Sequence, residues 1–173
     1  MNYTDRQIEA MIAGIESGRI TEMNLPDGYY NAITSYLERA VFKGFGASLQ
    51  DVADLDRELL EEIVTNTYQF GAAKTFKQTQ AISALLVDED GKQRTSREFN
   101  TLARSLYDKW NNNWGKTEYN TAFGQAENAI KWREALRNQD VLPNLRYEAV
   151  LDKNTSDICR PLHGIVAPIG DPI

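Results

Sequence analysis

Apolar side chains recur at intervals of three and four residues through most of the first 140 positions, which is the spacing of one helix face. A first helix is predicted over residues 5–17, opened by a capping box between Thr4 and Gln7. After a turn at residues 24–28, a second helix is expected to fade at residues 44–46. The inner stripe predicted for this second helix consists of Tyr29, Ile33, Leu37 and Val41.

The middle of the chain predicts one long helix over about residues 54–86, a stretch without proline. Ser48 and Asp51 have the spacing of a helix start just before it, and Gly71 marks a place where the helix can break. The polar residues 88–92 contain an Asp-Gly turn signal and are expected to end it. Its predicted apolar stripe consists of Leu55, Leu59, Leu60, Ile63, Val64, Tyr68 and Phe70.

A second capping box, formed by Thr95 and Glu98, predicts the start of another helix that runs to Trp110. Residues 111–115, with the sequence Asn-Asn-Asn-Trp-Gly, are expected to interrupt it, because Asn competes for backbone hydrogen bonds and Gly weakens a helix interior. A further helix is predicted from about residue 116 to residue 138.

The pattern changes after Asp140, where apolar and polar residues alternate from Leu145 to Leu151 as in a half-buried strand. Residues 152–155 predict a turn, and residues 164–167 predict a second short strand that pairs with the first. The predicted fold is therefore mainly α with a small C-terminal β element (α+β). We expect an elongated bundle of about four to five helices followed by a short β-hairpin.

The same pattern predicts three regions along the chain. Residues 1–50 form an N-terminal helical region, residues 51–140 a body of long helices, and residues 141–173 a small β-containing part. Pro168, Gly170 and Pro172 follow one another closely at the end, which favours an extended segment. We therefore expect the last domain to continue beyond Ile173.

The composition of the chain argues against several classes of function. The net charge of −6, from 25 acidic and 19 basic side chains, argues against a protein that coats nucleic acid. The chain has neither a long apolar run nor the start of a signal peptide, so we expect it in the cytoplasm where it is made and not in a membrane. Cys159 and His163 are the only cysteine and histidine, which excludes a zinc site built from these residue types alone.

Residues 111–122, followed ten positions later by Trp132, are similar to the helical part of the MuF-like phage head-morphogenesis proteins, where an Asn-x-x-Trp and a Thr-Glu-Tyr-Asn-Thr-Ala run precede a helix. Three further stretches resemble the C-terminal signature of the same family: residues 142–147, 152–164 and 168–172. The resemblance covers roughly residues 75–173, and the order of its motifs, more than any one motif, carries it. The residues that carry it are Trp114, Thr117, Glu118, Tyr119, Asn120, Trp132, Asp152 and Gly164.

The resemblance implies a structural minor head protein that is not an enzyme and needs no cofactor. Its implied partners are the portal protein or other head proteins, with weak contact to packaged DNA, and its implied location is the bacterial cytoplasm during assembly and then the virion head. Two positions depart from the family: Ser156 replaces a frequent cysteine, and His163 replaces a frequent acidic residue. The family usually continues past an Asp-Pro pair such as Asp171-Pro172 into a tail with His and Cys-Arg-Cys, so zinc is implied only for a longer chain.

Alternatives remain for the C-terminal residues. Cys159 and His163 lie four positions apart and can supply two metal ligands, although a buried thiol and a turn histidine bonded to backbone are favoured. Asp152, Asp157 and Asp171 are interpreted as turn residues rather than as a carboxylate cluster. The competing functions are a metal-dependent hydrolase or toxin-associated module completed by a missing tail, and a helical adaptor unrelated to phage.

Structural roles are favoured for the remaining candidates. Glu118, in the first turn of its predicted helix, and Asn120 are expected to hold the preceding break in shape. Four aromatic residues with helical spacing are expected in the core: Trp110, Tyr119, Phe123 and Trp132. Five basic residues near the Asp-Gly turn are expected to form a solvated face that can touch DNA or portal: Lys74, Lys77, Lys92, Arg94 and Arg97.

Overall fold

The protein is mainly helical, with a two-stranded antiparallel sheet near its C-terminus, as predicted. A computed structural model describes the backbone of residues 5–171 and the side chains of residues 7–110 and 115–171. In order, the elements are α1 (Asp5–Glu16), α2 (Asp27–Phe45), α3 (Asp54–Ser83) with a 3-10 turn at Ala84–Leu86, α4 (Ser96–Arg137), β1 (Asn144–Arg146), α5 (Cys159–Leu162) and β2 (Val166–Pro168). Thr4 of the first predicted capping box and Pro172 lie outside the described residues.

The chain divides into two compact units, unit 1 at residues 1–127 and unit 2 at residues 128–173. Unit 1 contains the hydrophobic core, which α1, α2, the end of α3 and the first turns of α4 build together. The stripe predicted for the second helix is confirmed, because its four residues are buried. The buried residues of this core are Ile8, Met11, Ile12, Ile15, Tyr29, Ile33, Leu37, Ile82, Phe99, Ala103 and Tyr107.

Helix α3 runs through Gly71 without a break, so the prediction of one long helix is confirmed and the break considered at Gly71 does not occur. Gly71 is buried against α2, and a Cβ atom on it would lie 2.6 Å from Cγ2 of Thr34. The glycine therefore permits two helices to approach closely rather than ending one. Ser48 and Asp51 do not start this helix either. The Ser48 hydroxyl donates to the Asp51 carboxylate at 2.6 Å within a turn, and α3 begins at Asp54.

The apolar residues of α3 occupy two faces instead of the single predicted stripe. The inner face buries Leu60, Val64 and Ile82 with small and polar side chains such as Thr75 and Thr79. Other apolar side chains of α3 lie in solvent or are only half-buried. On the outer face these are Leu55, Leu59, Ile63 and Phe70, and on the side toward α2 it is Tyr68. A helix that is apolar beyond the face it buries has surface left over for another contact.

The structure confirms both the predicted turn between α3 and α4 and the predicted capping box at the start of α4. Gly91 has a φ of 78°, and the Asp88 carboxylate accepts hydrogen bonds from the backbone N–H groups of Asp90 and Lys92 at 3.0 and 2.8 Å. The Thr95 backbone N–H donates to the Glu98 carboxylate at 3.0 Å, and the Glu98 N–H donates to the Thr95 hydroxyl at 3.4 Å. This reciprocal pair is the predicted capping box.

Helix α4 continues from Ser96 to Arg137, so the predicted interruption at residues 111–115 is wrong. Asn and Gly each disfavour a helix interior by about 1 kcal/mol or less, and tertiary packing of the surrounding turns outweighs that cost. The backbone of the Asn-Asn-Asn-Trp stretch is helical, whereas the side chains of residues 111–114, Trp114 among them, lie outside the described residues.

In unit 2, β1 pairs with β2 in an antiparallel register that places Leu145 opposite Ala167. The backbone pairing extends to Tyr147, whose N–H donates to the Ile165 carbonyl at 2.8 Å and whose carbonyl accepts from the Gly164 N–H at 2.8 Å. The strand ends well before Leu151, contrary to the prediction, because the Ala149 N–H donates to the His163 ring instead of a strand partner.

The predicted turn at residues 152–155 is present. The Asp152 carboxylate accepts a hydrogen bond from the Asn154 N–H at 2.8 Å, and the Asp152 N–H donates to the Thr155 hydroxyl at 2.8 Å. Gly164 has a φ of 85°, a conformation that side chains with a Cβ rarely adopt, and it brings the chain into β2. Within the described residues, no helix is long and apolar enough to cross a membrane.

Candidate functional site

The motif residues Thr117, Glu118 and Asn120 lie in the middle of α4 and not at the start of a helix. The expected first-turn position of Glu118 is therefore wrong. Its carboxylate instead forms an ion pair with the Lys74 ammonium of α3, and only 17% and 10% of these side chains remain exposed. Thr117 and Asn120 are exposed, and Asn120 has no break to hold in shape.

Tyr119 contacts α2 through a ring pair with Tyr36, whose centroid lies 4.9 Å away. The Arg39 guanidinium lies 5.9 Å from the centroid of the Tyr36 ring. Burial, followed by the neighbouring Tyr119, raises the pKa of Tyr36 above its usual value. Tyr119, Phe123 and Trp110 are half-buried, which places the motif segment against the rest of unit 1.

A groove of about 540 Å³ opens beside this segment, within unit 1. Its apolar lining comes from all three of the longer helices, and hydroxyl and amide side chains surround it. The lining residues are Leu37 and Val41 of α2, Ile63, Asn66, Thr67 and Phe70 of α3, and Thr117, Glu118, Thr121, Ala122 and Gln125 of α4. The periodicity of the sequence did not predict this groove, although the surplus of apolar residues on α3 was a signal for it.

The five basic residues near the Asp-Gly turn do not act as one solvated face. Lys74 is largely buried in its ion pair with Glu118, so its predicted place on that face is wrong. Arg94 is half-buried, and its guanidinium donates to the Leu85 carbonyl at 3.0 Å and to the Val87 carbonyl. The other three, Lys77, Lys92 and Arg97, are exposed as predicted.

Unit 2 has a different character, because none of its described side chains is buried. Trp132, expected in the core, is 49% exposed, so that expectation is wrong. The large apolar side chains that unit 2 exposes are Trp132, Leu136, Val141, Leu142, Val150, Leu151, Ile158, Ile165 and Val166. Asp152 and Gly164 of the motif set lie here as turn residues.

Cys159 begins the short helix α5 and is only half-buried, so the expectation of a buried thiol is wrong. Hydrogen bonds from Ser156 and then from Tyr147 lower the pKa of the Cys159 thiol below its usual value. His163 is the predicted turn histidine, since its Nδ1 accepts the Ala149 N–H at 3.2 Å. The Glu148 carboxylate lies 3.7 Å from the same ring nitrogen.

Three acidic residues considered as a cluster, Asp152, Asp157 and Asp171, are all exposed. In the part of the chain whose side chains are described, no three His, Cys, Asp or Glu side chains come together in a way that could hold a metal ion. The arrangement at the C-terminus thus consists of turn bonds and exposed apolar side chains.

Comparisons of the chain with protein-family models, with curated proteins and with solved structures give no match. The likeness to MuF-like head-morphogenesis proteins therefore stays a prediction that depends on the order of motifs between residues 111 and 172.

Proposed function

We propose that this protein is a structural component of a phage or prophage head and acts by binding other head proteins, the portal protein in particular. The observation that carries this proposal is the composition of the surface of unit 2. Its described side chains bury no core of their own and leave nine large apolar residues accessible.

The physical argument concerns where unit 2 obtains its stability. Each Å² of apolar surface removed from water contributes about 25 cal/mol, and a small module without buried side chains gains little of this by itself. A partner that covers the exposed residues supplies that burial on binding. Large exposed apolar patches are typical of interfaces with other proteins.

The motif order supports the identity of the partner. Thr117, Glu118 and Asn120 precede Trp132 in the arrangement found in MuF-like proteins, and the C-terminal signature follows in unit 2. Both stretches that resemble the family thus contain residues that are accessible to another protein, or lie next to such residues. The proposed location, first the host cytoplasm and then the virion head, follows from the same resemblance.

A capture experiment tests the proposal. The full chain is co-expressed with the portal protein encoded beside it, and complex formation is measured by affinity purification and size-exclusion chromatography. Val150→Asp and Ile158→Asp place charges on side chains that are 81% and 77% exposed, so they should reduce portal capture at least about tenfold without unfolding the chain.

Met23→Asp is the matched control, because Met23 is 97% exposed but lies in a loop of unit 1. This variant should capture portal as the natural sequence does. A chain that does not capture portal, or a gene that has no portal gene beside it, would contradict the proposed function.

A further inference from the structure

The outer face of α3 and the groove next to it form one continuous feature of unit 1. On α3, the lining residues Ile63, Asn66, Thr67 and Phe70 follow the i, i+3, i+4, i+7 spacing of a single helix face. They cover two turns, or about 10 Å of helix. On α4, the lining residues from Thr117 to Gln125 cover a similar length.

Helices α3 and α4 form the walls of the groove, and α2 forms its floor. In a four-helix bundle, each helix likewise packs against three others. Leu37 and Val41 of α2 are almost fully buried at the floor, whereas Phe70 of the wall is 46% exposed. The Lys74–Glu118 pair joins α3 and α4 one turn beyond Phe70 and Ala122. The groove therefore has the walls and the length to take two turns of another helix.

Among the described residues that line the groove, Glu118 is the only one with an ionisable side chain, and Lys74 already neutralises it. This described lining therefore presents no uncompensated charge. The remaining polar lining consists of hydroxyl and amide groups, and the Thr67 hydroxyl is bonded to the Ile63 carbonyl at 2.9 Å. An occupant must therefore present uncharged, mainly aliphatic side chains to the lining, because a buried unpaired charge is costly.

Acidic side chains follow the α3 wall of the groove toward the N-terminus of that helix. Glu62 lies one turn and Glu58 two turns before Asn66, and both are exposed. Like charges four residues apart disfavour a helix, and a cation placed between them relieves the repulsion. The net charge of unit 1 is acidic as well. Residues 1–127 carry 19 acidic and 13 basic side chains, while residues 128–173 carry six of each.

We propose that this groove binds an amphipathic helix of a partner protein, which packs aliphatic side chains on Phe70, Ile63 and Ala122 and sets Lys or Arg against Glu58 and Glu62. This proposal is independent of which head protein unit 2 binds. It adds a second interaction surface, on unit 1, to the proposed assembly role. Its test uses no portal protein, so its failure and the failure of portal capture are separate results.

The experiment uses the full chain and synthetic peptides of about 18 residues, which is long enough to form a helix on binding. One peptide carries a leucine face with lysines along both sides of that face, a second has glutamates in place of the lysines, and a third is a scrambled version of the first. Each is labelled with fluorescein, and binding is followed by fluorescence anisotropy at low and high salt.

We expect the leucine–lysine peptide to bind and the other two peptides to bind at least about tenfold more weakly. Phe70→Ala removes a wall of the groove and should weaken binding about tenfold at either salt concentration. Leu102→Ala is its matched control, because Leu102 is an exposed apolar residue of α4 outside the groove, and should leave binding unchanged.

Replacing both Glu58 and Glu62 by Gln should weaken binding severalfold at low salt and hardly at all at high salt, because salt screens exposed charges. Glu89→Gln, at an exposed position beyond the end of α3, should have little effect. Equal binding of the lysine and glutamate peptides, or binding insensitive to Phe70→Ala, would overturn the proposal. A dimer of this chain in sedimentation that Phe70→Ala abolishes would also overturn it, since the occupant would then be a second copy.

Discussion

Lys74 and Glu118 bring opposite charges together where little solvent reaches them. Removing one partner leaves the other charge buried and uncompensated. The resulting loss of stability is larger than the stability that the intact pair contributes. We therefore predict that Glu118→Gln lowers the free energy of unfolding by about 2–4 kcal/mol, measured by urea denaturation. The double variant Lys74→Met with Glu118→Leu should recover most of that loss, because it buries apolar groups instead.

The pair of Arg104 and Glu9, at 2.7 Å, is the control for this prediction. Its side chains are about half exposed, and such pairs contribute at most about 1 kcal/mol. Glu9→Gln should therefore change the unfolding free energy little. A loss as large for Glu9→Gln as for Glu118→Gln would contradict the role of burial.

The capping box gives a second residue-scale prediction. Hydrogen bonds from the Thr95 hydroxyl and backbone lower the pKa of the Glu98 carboxyl below its usual value. Since the folded pKa is the lower one, this contribution to stability is present above the pKa of an unfolded glutamate and is lost as pH falls through the folded value. Thr95→Ala should raise the pKa of Glu98 toward its usual value, as followed by carbon-detected NMR titration.

The same variant should lower the free energy of unfolding at neutral pH by about 1 kcal/mol, because the first turn of α4 loses its cap. Thr101→Ala is a suitable comparison, since Thr101 is exposed on the same helix and its hydroxyl donates to the Arg97 carbonyl rather than to a capping partner. An unchanged pKa of Glu98 in Thr95→Ala would show that the cap does not hold this carboxylate.

Residue spacing predicts local features well and distant ones poorly. Thr95 and Glu98 lie three positions apart, so the sequence contains the whole interaction. Lys74 and Glu118 lie 44 positions apart, and nothing in the spacing of either residue indicates the other. For this reason the sequence predicts Lys74 on a solvated face and Glu118 at a helix start, and both predictions are wrong.

At the scale of whole elements, the spacing between α2 and α4 depends on Gly44. A Cβ atom on this buried glycine would lie 2.2 Å from the backbone carbonyl oxygen of Phe123, which cannot rotate away as a side chain can. We predict that Gly44→Ala lowers the free energy of unfolding by about 1–3 kcal/mol, as measured by chemical denaturation followed by circular dichroism.

Gly124→Ala is the matched control on α4, because a Cβ atom on Gly124 would meet nothing within 4 Å and its backbone is helical. There the replacement should stabilise the protein by about 0.5–1 kcal/mol, since alanine loses less conformational freedom in a helix. Equal effects of the two replacements would mean that α2 and α4 do not approach each other as described.

Element types were predictable, but element ends depended on packing. The apolar stripes of α1 and α2 identify both helices, and the alternation at residues 145–147 identifies β1. The break predicted at residues 111–115 is wrong, because composition gives only the weak local preference of Asn and Gly. The break considered at Gly71 does not occur, and the sequence does not show that Thr34 of another helix lies against this glycine.

At the scale of the whole molecule, the two units should differ in local stability. Unit 1 has a buried core, whereas the backbone pairing of β1 with β2 in unit 2 has no buried side chain next to it among the described residues. We predict faster amide hydrogen exchange for Leu145 and Tyr147 than for Ile33 and Leu37 of α2, measured on the full chain by NMR.

Hydrogen exchange can also be compared between the free chain and its complex with a partner. If the portal protein covers unit 2, exchange at Leu145 and Tyr147 should slow on complex formation while α2 changes little. Exchange as slow at β1 as in α2 in the free chain would contradict the inference that unit 2 lacks packing of its own.

The acidic surplus of the chain lies wholly in residues 1–127, whereas residues 128–173 are balanced. If the protein resides in a phage head as proposed, DNA phosphates repel residues 1–127 more strongly than residues 128–173.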